Sequence, residues 1–280
     1  MGHQMDHNYQ PPLDKLLVLG EVTLREEWLD YEQQGLRAEH IPALVQMATD
    51  RKLHRADSQS TEVWAPVHAW RALGQLRAVE AVEPLLEQLH RFEDDDWMHE
   101  EVPVIAGMVG QPAIVPLKAF LANHRHSVYP RVAAAHGLVE VAQRYGEHWT
   151  ECVESLTDQL RLFPQNNPTL NGFLISFLID LNAGESAAEM EMAFVAEKVD
   201  LSIVGDWEDA QIALGLLAQR LTPSDYGVED EFFTPGQPIS SATKKKQKEQ
   251  AKRKKKMEKK TLQNLPRNNK QNCFAKLLTL

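Results

Sequence analysis

From Leu13 to about residue 221, apolar residues recur at helical spacing almost without interruption, and no stretch shows the period-two alternation of a half-buried strand. Ala, Leu, Glu and Gln dominate, and β-branched residues are scattered. Interruptions fall at Gly35, Asp94 to Asp96, Gly110-Gln111-Pro112, His124 to Ser127, Pro164 to Pro168 and Gly184. The pattern predicts an all-α chain. Residues 1–12, ending in Pro11-Pro12, read as a flexible leader.

The pieces between these breaks look like one another, which is the mark of a helical-repeat array. One unit runs from Val67 as VHAWRALGQLRAVEAVEPLLEQLHRF, and the next from His99 as HEEVPVIAGMVGQPAIVPLKAFLANH. Placing Pro84-Leu85-Leu86 over Pro116-Leu117-Lys118 gives a step of 32 residues. A third unit starts near Tyr129, where His136-Gly137-Leu138 parallels Ala72-Leu73-Gly74 and Met108-Val109-Gly110. A weaker fourth follows from Asn171. In each, a first helix is expected to end in a small residue that permits close packing, and a second to carry Leu at positions such as Leu85, Leu86 and Leu89. Ahead of them, LREEWLDYEQQG (24–35) and EHIPALVQMATD (39–50) read as a capping helix pair with a polar outer face.

The Ala-Leu-Gly turn followed by Ala-x-x-Pro-Leu resembles the short HEAT repeats of the phycobilisome-lyase type, over about residues 62–200. Within this, RVAAAHGLVEVA, FLISFLIDLNAGES and AFVAEKVDLSIVGDWEDAQIALG, spanning Arg131 to Gly215, resemble an uncharacterised bacterial HEAT-like family. The resemblance implies a HEAT-like α-α superhelix, or α-solenoid, over residues 13–225. Members of that family often end in a basic tail or a cysteine-rich zinc motif. This chain has the tail without the cysteines, so zinc binding does not carry over. Such motifs specify architecture better than activity.

Charge divides the chain. The net of -10 conceals a tail, residues 244–280, holding 14 of the 30 Lys and Arg but only Glu249 and Glu258 of the 40 acids. The tail is therefore +12 and the remainder -22, so any grip on a phosphate backbone belongs to the tail. A Pro-, Gly- and Ser-rich linker over 226–243 precedes it. Lys244, Lys245, Lys246, Lys252, Arg253, Lys254, Lys255 and Lys256 form its basic run, with almost no apolar stripe, so the tail is expected to be mostly disordered. It suits contact with nucleic acid or docking on the acidic body, and is too polar for an amphipathic membrane helix. No signal-peptide pattern or membrane-length apolar stretch occurs, and only Cys152 and Cys273 are present, which leads to the expectation of a cytoplasmic, non-membrane protein.

No Walker loop, G-x-S-x-G elbow, H-E-x-x-H pair or G-x-G-x-x-G turn occurs, so no catalytic residue and no cofactor are assigned. HEAT-repeat di-iron hydroxylases resembling deoxyhypusine hydroxylase carry several His-Glu dipeptides at matching repeat positions. Here only His99-Glu100 forms one, the related positions being His68-Ala69 and His136-Gly137, so no metal site is assigned. The acidic run Glu93 to Asp96 reads chiefly as a solvated loop that caps the next helix. Two short segments remain as candidate partner contacts. They are Trp97, His99 and Glu100, and Asp206, Trp207 and Glu208, where a capping box competes with a Trp-anchored binding reading. The expected function is a non-enzymatic scaffold or adaptor for an unknown protein or peptide, with the tail as an electrostatic contact. The alternatives are an RNA- or ribosome-associated factor acting through the tail and, more remotely, a lyase-like or His-Glu metal enzyme.

Overall fold

The computed structural model describes residues 9–23, 27–93 and 95–223, which are helical and contain no strand. The linker, the basic tail and most of the expected leader lie outside the described residues. Residues 9–12 are tied down, Tyr9 donating to the Asp50 carboxylate at 3.0 Å, and the 3-10 turn Leu13–Leu17 buries Leu13 and Leu16. None of the described helices is long and apolar enough to cross a membrane.

Twelve α-helical segments follow in chain order: α1 (Ile41–Ala48), α2 (Arg51–His54), α3 (Ala65–Gln75), α4 (Val82–Arg91), α5 (Asp96–Val109), α6 (Ile114–Ala122), α7 (Val128–Arg144), α8 (Trp149–Arg161), α9 (Pro168–Asp180), α10 (Ala187–Val195), α11 (Leu201–Val204) and α12 (Trp207–Ala213). The starts follow ordinary capping chemistry. Asp95 accepts from the Trp97 and Met98 amides, Asn167 accepts from Thr169, and Pro168 opens α9, where a missing N–H costs nothing. Pro84 and Pro116 each occupy the third position of α4 and α6, again among the amides that have no partner within the helix.

A repeated detail marks the units. A single 3-10 turn, at Val79–Ala81, Gln111–Ala113, Gly146–His148 and Gly184–Ser186, runs directly into α4, α6, α8 and α10. The helices before these turns pack on one another in succession, α3 on α5, α5 on α7 and α7 on α9. The helices after them do the same, α4 on α6, α6 on α8 and α8 on α10. Helix α1 precedes α3 in the first layer, while α11 and α12 follow α9. Helix α7 lies at the centre, and Val132, Ala133, Ala134, Ala135, Leu138, Val139, Val141 and Ala142 are all buried along it.

Small residues set the approach of these helices. A methyl group placed on Gly74 would lie 3.0 Å from the Met108 sulfur, one on Gly107 would lie 2.7 Å from Glu140 Cβ, and one on Gly137 would lie 2.7 Å from Leu117 Cδ2. The third unit departs from expectation. His136-Gly137-Leu138 sits in mid-helix and α7 continues to Arg144, so Gly137 serves a side-on contact, not a helix end.

The capping helix expected over 24–35 also does not form. Residues 27–30 have no regular structure, residues 31–35 make a turn, and 24–26 lie outside the described residues. The physical reason is α3, one face of which binds backbone groups of residues 20–23, just before this segment, and of Leu29 and Tyr31 within it. His68 Nε2 meets the Gly20 carbonyl at 2.9 Å, Arg71 donates to the Thr23 carbonyl at 2.9 Å, and Gln75 donates to the Leu29 carbonyl at 2.8 Å while accepting from the Tyr31 amide at 2.9 Å. Residues 20–23 and 27–31 form a strap across α3, and Tyr31 and Leu36 are fully buried.

Candidate functional site

The polar residues under the strap converge on a buried ion pair. Arg71 and Glu101, from α3 and α5, have side chains only 3% and 4% exposed. The Arg71 guanidinium binds both Glu101 oxygens, and Trp70 donates its indole N–H to the same carboxylate at 2.7 Å. The guanidinium carbon also lies 5.0 Å from the Trp28 ring centre and 5.9 Å from that of Trp97. Beside it, Tyr31 Oη and His68 Nδ1 are 2.7 Å apart. Burial lowers the affinity of His68 for a proton, partly opposed by the Gly20 carbonyl.

Next to this cluster, α2, the 3-10 turn Thr61–Trp64, α3 and the start of α5 enclose a small pocket of about 200 Å³. Trp64 and Trp97 make two of its walls, with ring centres 5.3 Å apart and planes at 77°. Trp70, Val63, Pro66 and Val67 supply further apolar surface, and Ser58 adds a hydroxyl-bearing residue to the lining. His54 stacks on Phe92 with ring centres 4.5 Å apart, and its Nε2 meets the Ala48 carbonyl at 2.8 Å. Burial holds its imidazole below the usual histidine range, partly opposed by the Ala48 carbonyl. The one carboxylate in the wall is Asp95, whose Oδ1 accepts from the Trp97 amide at 3.0 Å and the Met98 amide at 3.4 Å. Burial raises its pKa from the ordinary carboxylate value, an effect opposed by those amides and by His54.

A wider open cleft of about 960 Å³ lies along the strap. Glu27, Asp30, Glu32, Arg37, Arg77 and Arg144 line it together with Trp28 and Tyr145. Its mixed charge expresses no preference for an anion or a cation.

No family model, curated protein or solved structure matches this chain. The geometry therefore stands alone.

The residues singled out from sequence fall at two separate places. Trp97 lines the aromatic pocket, whereas His99 is buried behind it with Nε2 3.0 Å from the Glu93 carbonyl, and Glu100 is half-buried on the same helix. Asp206, Trp207 and Glu208 begin α12, separated from α5 by α7 and α9. There Asp206 and Asp209 complete a reciprocal capping box, and both bind the Arg220 guanidinium. Trp207 packs on Phe194 with ring centres 5.7 Å apart, and Glu208 accepts from the Leu221 amide at 2.9 Å. Among the described residues, no three His, Cys, Asp or Glu side chains are grouped to hold a metal ion. His68 and His136 differ from His99 in surroundings, His136 stacking on Phe177 at 5.4 Å. The basic run from Lys244 lies outside the described residues.

Sequence reasoning did not single out Trp64, His54 or the Arg71–Glu101 pair. One signal was available. Trp64 and Trp97 are 33 residues apart, close to the 32-residue step read from the sequence.

Proposed function

We propose that this chain is a HEAT-like α-solenoid whose function is to bind a protein partner, with the aromatic corner formed by Trp64, Trp97, His54 and Asp95 as the contact that anchors it. The solenoid reading is supported by the four 3-10 turns and by the two successions of neighbouring helices. The observation that carries the binding reading is the corner itself. Two half-exposed tryptophans form a concave wall around a carboxylate, and partner contacts concentrate their energy in such aromatic anchors. The basic tail acts as an auxiliary electrostatic contact.

The composition of the tail also favours a second reading, in which Lys244–Lys246 and Lys252–Lys256 hold RNA. Full-length chains immobilised from cell extract separate the two readings. Wild type, Trp97→Leu and a variant with Gln at Lys252, Arg253, Lys254, Lys255 and Lys256 are compared with and without nuclease. Under the scaffold reading, partner proteins survive nuclease and tail neutralisation and are lost with Trp97→Leu. Partners that vanish with nuclease and with the Gln variant, and are indifferent to Trp97→Leu, establish the RNA reading instead.

A further inference from the structure

The aromatic corner has a chemistry more specific than a generic anchor. Its 200 Å³ falls below the roughly 300–1,000 Å³ of a site for a drug-sized ligand and suits the head of one side chain. Two indole rings at 77° line the same small space, and an aromatic wall attracts a cation placed over a ring face. The charge in the wall is negative. Asp95 lines the pocket, and Glu93 and Asp96 flank it in sequence. Arg71, whose guanidinium carbon lies 5.9 Å from the Trp97 ring centre, is already matched by Glu101, so it leaves little field to repel a second cation.

Hydrogen-bond capacity narrows the choice of cation. A primary ammonium carries three donors and a guanidinium five, each needing an acceptor when desolvated. The pocket offers one carboxylate, and one of its oxygens is already engaged by the Trp97 and Met98 amides. Apart from the Ser58 hydroxyl and the His54 ring, the remaining lining, from Val63, Pro66, Val67, Trp64 and Trp70, is apolar or aromatic, so the acceptors are fewer than the donors of either cation. A quaternary ammonium keeps its charge and has no N–H to satisfy, so it matches both the walls and the shortage of acceptors.

We infer that the corner formed by Trp64, Trp97 and Asp95 binds a trimethylated lysine side chain presented by the protein partner. This rests on the scaffold reading for the source of the lysine, while the pocket chemistry stands independently of it.

The test is calorimetric titration of the full-length protein with one short peptide in four forms. These carry trimethyllysine, unmodified lysine, arginine, or the neutral carbon isostere of trimethyllysine bearing a tert-butyl head, and choline is titrated as the free quaternary ammonium. The trimethyllysine peptide is expected to bind about tenfold more tightly than the lysine, arginine and isostere forms. Trp97→Leu and Trp64→Leu should each remove that preference, and Asp95→Asn, which keeps a capping side chain, should weaken it several-fold. Circular dichroism and unchanged melting confirm that each variant is folded. Trp97→Phe, which keeps an aromatic face, should retain most of the binding.

Equal binding of the isostere overturns the inference, because the pocket is then merely apolar. Equal binding of the lysine peptide, or no binding of any form, overturns it too. Choline binding that matches the trimethyllysine peptide assigns the site to a free ammonium metabolite and removes the protein source. If extract partners are lost with Trp97→Leu while no methyl preference exists, the scaffold reading stands and this inference alone fails.

Discussion

Arg71 and Glu101 illustrate what a single buried pair does in this fold. Both charges are removed from water, and the desolvation is offset by the multiple hydrogen bonds between them together with Trp70 and the Thr23 carbonyl. Glu101→Leu strands a guanidinium in the interior and should cost about 3–5 kcal/mol in urea unfolding. The double variant Arg71→Met/Glu101→Leu should be less destabilised than the sum of its single variants, since neither charge is then left unpaired. Nothing in the linear sequence marks this pair, because the partners are 30 residues apart and each alone resembles a solvated helix charge. Trp97 and the Asp206 capping box were legible, as an aromatic beside acids and an Asp-x-x-Asp start are local signals. The role of Arg220 in that box was not, being set by how the chain returns after α12.

For the helices themselves, spacing between glycines and their neighbours decides which positions tolerate change. Gly107→Ala would press a methyl against Glu140 Cβ and within 3.2 Å of the Glu140 carbonyl carbon, both fixed to the backbone of α7. It should lower stability by about 1–3 kcal/mol. Gly146→Ala, where no atom lies within 4 Å, should be neutral or stabilising by up to about 1 kcal/mol, and thermal melts of the two variants make the comparison. The breaks at Asp94–Asp96, Gly110–Pro112, His124–Ser127 and Pro164–Pro168 were readable because Gly, Pro and Asp interrupt a strong period. The break at Tyr145–His148 was not, since Tyr-Gly-Glu-His carries a weak turn signal and the apolar period continues through it. The segment 24–35 misled in the opposite direction. Its helical period is genuine, yet the Leu29 carbonyl and the Tyr31 amide find partners in Gln75 of α3 instead of within a helix of their own.

Across the described residues, the all-helical class followed from periodicity, while the route of the chain before α1 depended on contacts that only the fold creates. Acid should expose this dependence. His68 and His99 are 1% and 3% exposed, and burial lowers the proton affinity of each below that of the unfolded chain. Their unfolded forms therefore take up protons first as pH falls. Stability should be full above about pH 6.5 and decline below it, each histidine contributing a slope of at most about 1.4 kcal/mol per pH unit. Asp95 is shifted the other way and works against this decline nearer pH 4, because its folded form takes up a proton before its unfolded form does. Urea midpoints at pH 7.5, 6 and 5 check the sign; a midpoint that rises on acidification would refute it. The strap carries a further consequence. Helix α3 grips Thr23 and Leu29 through their carbonyl oxygens, a group every amino acid possesses. Inheritance of this contact is thus one-sided: Arg71 and Gln75 must be kept, whereas the residues they hold at 23 and 29 are free to drift without altering the path they trace.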